Sequence, residues 1–154
     1  MKKLFVVIAV FISSFANSQD YSDSLVVFEN FNFKEYQRLV TYHINQERAK
    51  VGLPAVSENS TMSITCMEYS QWMADNSKLV HSKNGGGVCS MEVIMHGVAV
   101  TKDKFNYKEY AFGPVGTWMS EPSHRDALLD PKITEIGVGI GMQSYHQYEC
   151  VRLK

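Results

Sequence analysis

From Lys34 onward the apolar positions fall at three- and four-residue steps. Tyr36, Leu39, Val40, His43, Ile44 and Glu47 share one side, which is the period of a helix with one buried face. Gly52 and then Pro54 close that run, the usual signals beyond a helix C-terminus. A second helical run opens with Asn59 or Ser60 as cap, has its faces marked by Ile64, Met67 or Glu68, Trp72 and Met73, and ends near Asn76. Residues 77–88 read as a loop, because KNGGG at 83–87 cannot hold regular structure cheaply. CSMEVIMHGVAV (89–100) is β-branched and apolar enough for a strand, with Glu92 near its start.

YKEYAFGPVGTWMS (107–120) has a helical pattern that Gly113, Pro114 and Gly116 make short or kinked. Pro122 then opens another short helix, 122–129, in the first turn, where a missing N–H costs nothing. ITEIGVGIGMQ and QYECVRL predict two strands joined by a turn at 144–146. Helices first, a strand, more helix and a terminal hairpin make an α+β order. The chain has no βαβ alternation of the kind that builds a parallel nucleotide-binding sheet.

The first eighteen residues follow a different logic. Lys2 and Lys3 precede an apolar run from Leu4 to Ala16, and Ala16-Asn17-Ser18 has the small-x-small pattern of a signal-peptidase site. This predicts a secretory signal peptide (1–18) cleaved after Ser18, and export to the periplasm or medium. The apolar run falls short of the ~20 residues that span a bilayer, so no stable membrane anchor is expected. A leader (19–33) and one domain (34–154) follow. The mature chain carries 13 basic and 16 acidic residues with no basic cluster, which argues against nucleic acid as a partner. Cys66, Cys89 and Cys150 are an odd set for an exported protein. Cys89 and Cys150, both in strand-like runs, are the expected pair, with Cys66 as a buried thiol.

Two short stretches concentrate chemistry. His81 stands at the mouth of the glycine loop and Glu92 follows eleven residues later; Glu121 and His124 lie three apart, able to share one side of a helix's first turn. Two imidazoles and two carboxylates in one cleft would suit a divalent metal such as zinc, with His81 and His124 as ligands, or a general acid/base pair near neutral pH. The plainer alternative makes Glu121 a helix-dipole partner and Arg125 half of a surface ion pair with Asp126 or Asp130. His43, His96 and His146 read as solvated or hydrogen-bonded side chains. A GxSxG elbow and a phosphate loop are absent.

The order of motifs over residues 34–153 resembles the CAP superfamily (cysteine-rich secretory, antigen 5 and pathogenesis-related-1 proteins) in its short bacterial SCP-like form. HINQERAKVGLPAV (43–56) is similar to the family's first helix, through Asn45, Arg48, Gly52, Leu53 and Pro54. MSITCMEYSQWMADNSKLVHS resembles the second helix running into the family histidine, here His81. MEVI stands where the family writes G-E-N, giving Glu92 the acid position but replacing Gly and Asn by Met91 and Val93. WMSEPSHRDALLD resembles the bacterial W-x-x-S-x-x-H-R segment and ITEIGVGIG the following strand.

The resemblance implies an α-β-α sandwich with a small antiparallel sheet between helices. It also implies a cleft in which His81, Glu92 and His124 converge, often around a divalent metal. Glu121 adds the acid that eukaryotic relatives carry three residues after the tryptophan. Trp118, Arg125 and Asn45 are expected to be structural. A binding module for a divalent metal or small ligand is the favoured reading. Metal-assisted hydrolysis of peptides or glycans, and lipid or sterol carriage, are the alternatives; a protein partner is the fallback.

Overall fold

The computed structural model describes residues 31–98 and 106–154; the expected signal peptide and most of the leader lie outside these. In chain order come α1 (Phe33–Lys50), β1 (Ser57–Glu58), α2 (Ser60–Asp75), a tight turn over Lys83–Gly87, β2 (Met91–Val98), α3 (Tyr107–Ser120), α4 (Pro122–Leu128), β3 (Glu135–Gln143) and β4 (His146–Leu153). Asparagine caps all three long helices: the side chains of Asn32, Asn59 and Asn106 accept from first-turn amides, satisfying donors that have no partner within the helix.

The strands lie in the order β1-β3-β4-β2. β3 pairs antiparallel with β4, and β4 with β2, while the two-residue β1 joins β3 in parallel. The sheet is therefore mixed, a small departure from the expected antiparallel one. Its faces bury different helices, which makes the α-β-α sandwich. On one face Val93, Val138, Ile140 and Val151 pack against Tyr36, Leu39, Val40, Ile44, Val115, Trp118 and Leu128 of α1, α3 and α4. On the other, Ile94, Tyr148 and Cys150 meet Cys66, Met73 and Ala74 of α2.

α2 lies unusually close to the sheet. A Cβ added to Gly137 would come within 2.4 Å of Met62, one on Gly139 within 2.2 Å of the Cys66 backbone, and one on Gly141 within 2.2 Å of the Ser70 backbone. Four helical residues advance about 6.0 Å and two strand residues about 6.6 Å, so each helical step of four finds the next glycine. This stripe explains why the buried side of α2 is Met62, Cys66, Ser70 and Met73, whereas Ile64 and Trp72 are exposed. Periodicity alone marks Ile64 and Trp72 as face residues, but close approach demands narrow side chains on the buried face. α3 also differs from expectation: it continues for fourteen residues with Pro114 buried inside it.

Two expected structural residues anchor the frame. Asn45 exchanges hydrogen bonds with the backbone of Val56, donating at 3.0 Å and accepting at 2.8 Å. Trp118 is fully buried between helix and sheet. Arg48, part of the first motif but given no role by it, is the larger anchor. Fully buried, it donates to the carbonyls of Pro54, Leu128, Asp130 and Ile133, tying α1 to the exit of α4 and the approach to β3. Arg125 is half exposed, 3.7 Å from Asp126.

Candidate functional site

His81 follows α2 directly. Tyr69 of α2 donates its hydroxyl to the Val80 carbonyl at 2.6 Å, fixing the segment that presents the imidazole. His81 Nδ1 lies 3.2 Å from Glu92 Oε1, with the imidazole more than half exposed and the carboxylate sealed. The same oxygen accepts the Ser82 amide at 2.8 Å; the other accepts the Ser82 hydroxyl at 2.5 Å and Arg152 Nε at 3.1 Å. Glu92 and Arg152 are register partners across β2 and β4, so the ion pair is also a cross-strand pair. Burial raises the Glu92 carboxyl, but the Ser82, Arg152 and His81 hydrogen bonds outweigh it and the net shift is downward.

Arg152 is held from every side. Tyr69 offers its ring face 5.5 Å away, Arg152 Nη2 donates to Ser82 Oγ at 3.2 Å, and the glycine turn covers it. Asn84, Gly85, Gly86 and Gly87 all have φ between 54° and 74°, a left-handed turn that side chains resist. A Cβ on Gly86 would strike the guanidinium at 2.8 Å. The KNGGG run expected to be a loop is therefore a lid on a buried cation.

Glu121 and His124 form a second pair at the start of α4. His124 Nδ1 lies 3.1 Å from Glu121 Oε2, with the imidazole three-quarters buried and the carboxylate half exposed. The pair is close in distance without hydrogen-bond alignment, and His124 Nδ1 has no aligned partner. The pairs approach from opposite faces. Glu92, Cys150 and Arg152 belong to the α2 side, while α4 packs against β2 from the side of Val93 and Leu128. Among the described residues no three of His, Cys, Asp and Glu are grouped closely enough to hold a metal ion.

A divalent cation suits this donor set in one way only. Glu92 already accepts from three residues' N–H and O–H groups and neutralises Arg152, so it orients His81 and leaves little for a metal. Glu121 lies at the same distance from His124 Nδ1 but without the hydrogen-bond alignment that Glu92 has toward His81. A carboxylate behind an imidazole Nδ1 fixes the ring and its tautomer and strengthens Nε2 as a ligand. The four side chains do not form one cage: they stand as two separate acid–imidazole pairs, each offering its imidazole as the remaining donor.

The other histidines are engaged elsewhere. His43 Nε2 lies 3.0 Å from the Lys108 carbonyl, and His96 Nε2 lies 3.0 Å from His146 Nδ1. Sequence reasoning misses Ser82 and Arg152. A lone arginine inside the apolar run of β4 is the available signal, since a buried guanidinium requires a partner. The expected Cys89–Cys150 pair is not what the fold brings together. Cys89 donates its thiol to the Gly85 carbonyl at 3.2 Å, and Cys150 Sγ instead lies 3.6 Å from Cys66 Sγ. No disulfide joins the three cysteines in this structure. The glycine stripe that seats α2 on β3 is what brings Cys66 to β4.

Residues 41–152 match the model of the cysteine-rich secretory protein family, CAP. Among solved structures, an outer surface protein of Borrelia burgdorferi superposes with a TM-score of 0.62 at 16% identity, covering 80% of this chain and 94% of that one. An SCP-domain extracellular protein of Bacillus anthracis gives 0.55 at 16% identity, covering 79% of this chain and 41% of that longer one. The crystal structure of NaASP2 with Zn2+ gives 0.65 at 11% identity, with 81% and 82% covered. At these identities the likeness is one of fold. No curated protein sequence matches the chain.

Proposed function

The chain belongs to the CAP family of cysteine-rich secretory proteins, and we propose that within it this protein is an exported binding module that takes a divalent cation through the Nε2 atoms of His81 and His124. The observation that carries the reading is that a carboxylate stands beside Nδ1 of each imidazole, within hydrogen-bond reach at 3.2 Å for His81 and at 3.1 Å without alignment for His124. At His81 such backing holds the imidazole in the tautomer that leaves Nε2 as the ligand atom, and at His124 a small rotation of the Glu121 side chain would supply the same backing. His81 and His124 would hold the cation, and water or a ligand's oxygens would complete its shell. The signal-peptide pattern of residues 1–18 supports export; the Borrelia and Bacillus proteins are described as outer-surface and extracellular.

Binding is favoured over turnover by the state of Ser82. Its hydroxyl gives its proton to Glu92 and accepts from Arg152, so it is not aligned with an imidazole base as an activated nucleophile would be. Lipid carriage has less to rest on. A surface groove of about 550 Å³ is lined by Asn59, Thr61, Met62, Val88, Cys89 and Lys154 among others, a wall of mixed polar and apolar character rather than a continuous apolar one.

The test is thermal shift and metal content on tag-free protein, with His81→Ala/His124→Ala beside it. Zinc at a hundredfold excess over its dissociation constant should raise Tm by about 10 °C in the native protein and not in the double variant. No shift at millimolar zinc, or an equal shift in both proteins, rejects the reading.

A further inference from the structure

Cys66 and Cys150 are both fully buried, with their sulfurs 3.6 Å apart. Two pieces of the fold impose that closeness. The Cys66 backbone rests on Gly139, and Gly139 is the register partner of Cys150 across β3 and β4. A side chain leaving α2 at Cys66 therefore reaches the next strand at the level of Cys150. The sulfurs lie about 1.6 Å beyond disulfide bond length, a gap within reach of small side-chain adjustments. Cys89 is held apart by its bond to Gly85, and a Cβ on Gly85 would press to 2.4 Å from its sulfur.

We propose that Cys66 and Cys150 form a disulfide that rivets α2 to β4 directly beneath Glu92, leaving Cys89 as the single free thiol. The exchange needs a disulfide donor, either a small-molecule disulfide or a dithiol oxidase. One protein thiolate attacks the donor, releasing one donor thiol and forming a mixed disulfide. The second protein thiolate displaces the other donor thiol. The two protein thiols give up two electrons and two protons, and the donor leaves as two thiols. The hydrogen bond that Cys150 donates to Cys66, together with burial, raises the Cys150 thiol further from ionisation, so the exchange belongs to the folding chain, before α2 closes on the sheet. Bond formation also removes the Cys150 thiol that lies 3.7 Å from Glu92 Oε2, leaving Arg152, Ser82 and His81 as that carboxylate's partners. The inference rests on the two sulfurs and is independent of the cation reading.

The experiment refolds the full chain with oxidised glutathione, alkylates it under denaturing conditions and measures intact mass and non-reduced peptide maps. The expected product is alkylated once, at Cys89, and contains one peptide joining Cys66 to Cys150; Cys89→Ala gives the same bridge. Closing a loop of this length should raise Tm by about 10 °C over the reduced form. Native protein that has folded reduced should resist the same donor, because both sulfurs are covered. Three alkylated cysteines after oxidative refolding, or a bridge that includes Cys89, overturns the proposal. So does a bridged form that melts no higher than the reduced one, since the bond would then strain the native packing.

Discussion

Glu92 and Arg152 face each other across β2 and β4 with 3.1 Å between Oε2 and Nε, and their side chains are only 5% and 3% exposed. Removing one charge strands the other, and a buried unpaired guanidinium is costly. Glu92→Gln should therefore destabilise the fold by about 3–5 kcal/mol, measured by urea denaturation. A change below about 1 kcal/mol would mean that water reaches Arg152. The same substitution should leave His81 less firmly oriented and weaken zinc uptake without abolishing it.

The Glu92 carboxyl has a lowered pKa in the folded protein. Its contribution to stability is present above the ordinary carboxylate value of 4.5 and is lost as pH falls through the lower, folded value. Wild-type stability should drop over that acidic window, and the drop should be shallower in Glu92→Gln. Matched denaturation curves from about pH 5 to about pH 2.5 check this.

Glu149 carries the opposite sign. It sits fully buried in the α1 and α3 face, where Tyr36 donates to it at 2.5 Å, Gln147 at 3.0 Å, and the Tyr110 hydroxyl donates to Gln147. Burial pushes its carboxyl up to about 8, only partly offset by the Tyr36 and Gln147 hydrogen bonds. The protonated acid is the form the core prefers. Stability is full below the ordinary value of 4.5 and falls as pH rises from there to about 8, by at most about 1.4 kcal/mol per pH unit. Glu149→Gln should flatten that decline and make the protein more stable at the upper end of the window. A variant with the same slope would show that another group titrates.

Glycine substitutions should divide sharply by place. Gly139→Ala drives a methyl to 2.2 Å from the Cys66 backbone, so α2 has to lift; a loss above about 3 kcal/mol is expected, as for severe overpacking. Gly116, inside α3 with nothing within 4 Å of an added Cβ, should gain about 0.5–1 kcal/mol as alanine. Circular dichroism melts on both variants suffice, and equal effects would refute the close seating of α2.

The periodic parts of the chain are legible from sequence because burial alone determines them. α1 lies where Tyr36, Leu39, Val40 and Ile44 recur, and β3 and β4 follow the two terminal apolar runs. Local chemistry identifies the cap at Asn59, whereas those at Asn32 and Asn106 emerge only in the structure. Hidden are features that depend on what lies opposite. Nothing along α2 itself says that Cys66 rather than Ile64 faces inward; that follows from Gly137, Gly139 and Gly141, far along the chain. The four residues singled out for the cleft fall into two acid–imidazole pairs, while Ser82 and Arg152, which saturate Glu92, take roles that require β2 and β4 to be aligned, and only the lone arginine in the apolar run of β4 hints at them. The parallel contact of β1 is equally hidden, being two residues long.

The glycine stripe under α2 also limits how the molecule can move. Helix and strand mesh like a rack with a tooth every two strand residues, so α2 can stay in its notch or jump a whole tooth of about 6.6 Å, with no small slide between. The notch also sets where His81 stands, because Tyr69 on α2 grips the Val80 carbonyl and Glu92 on the sheet grips Ser82. A helix one tooth out of place would carry the imidazole away from its carboxylate, so the gearing of α2 is also the indexing of the site.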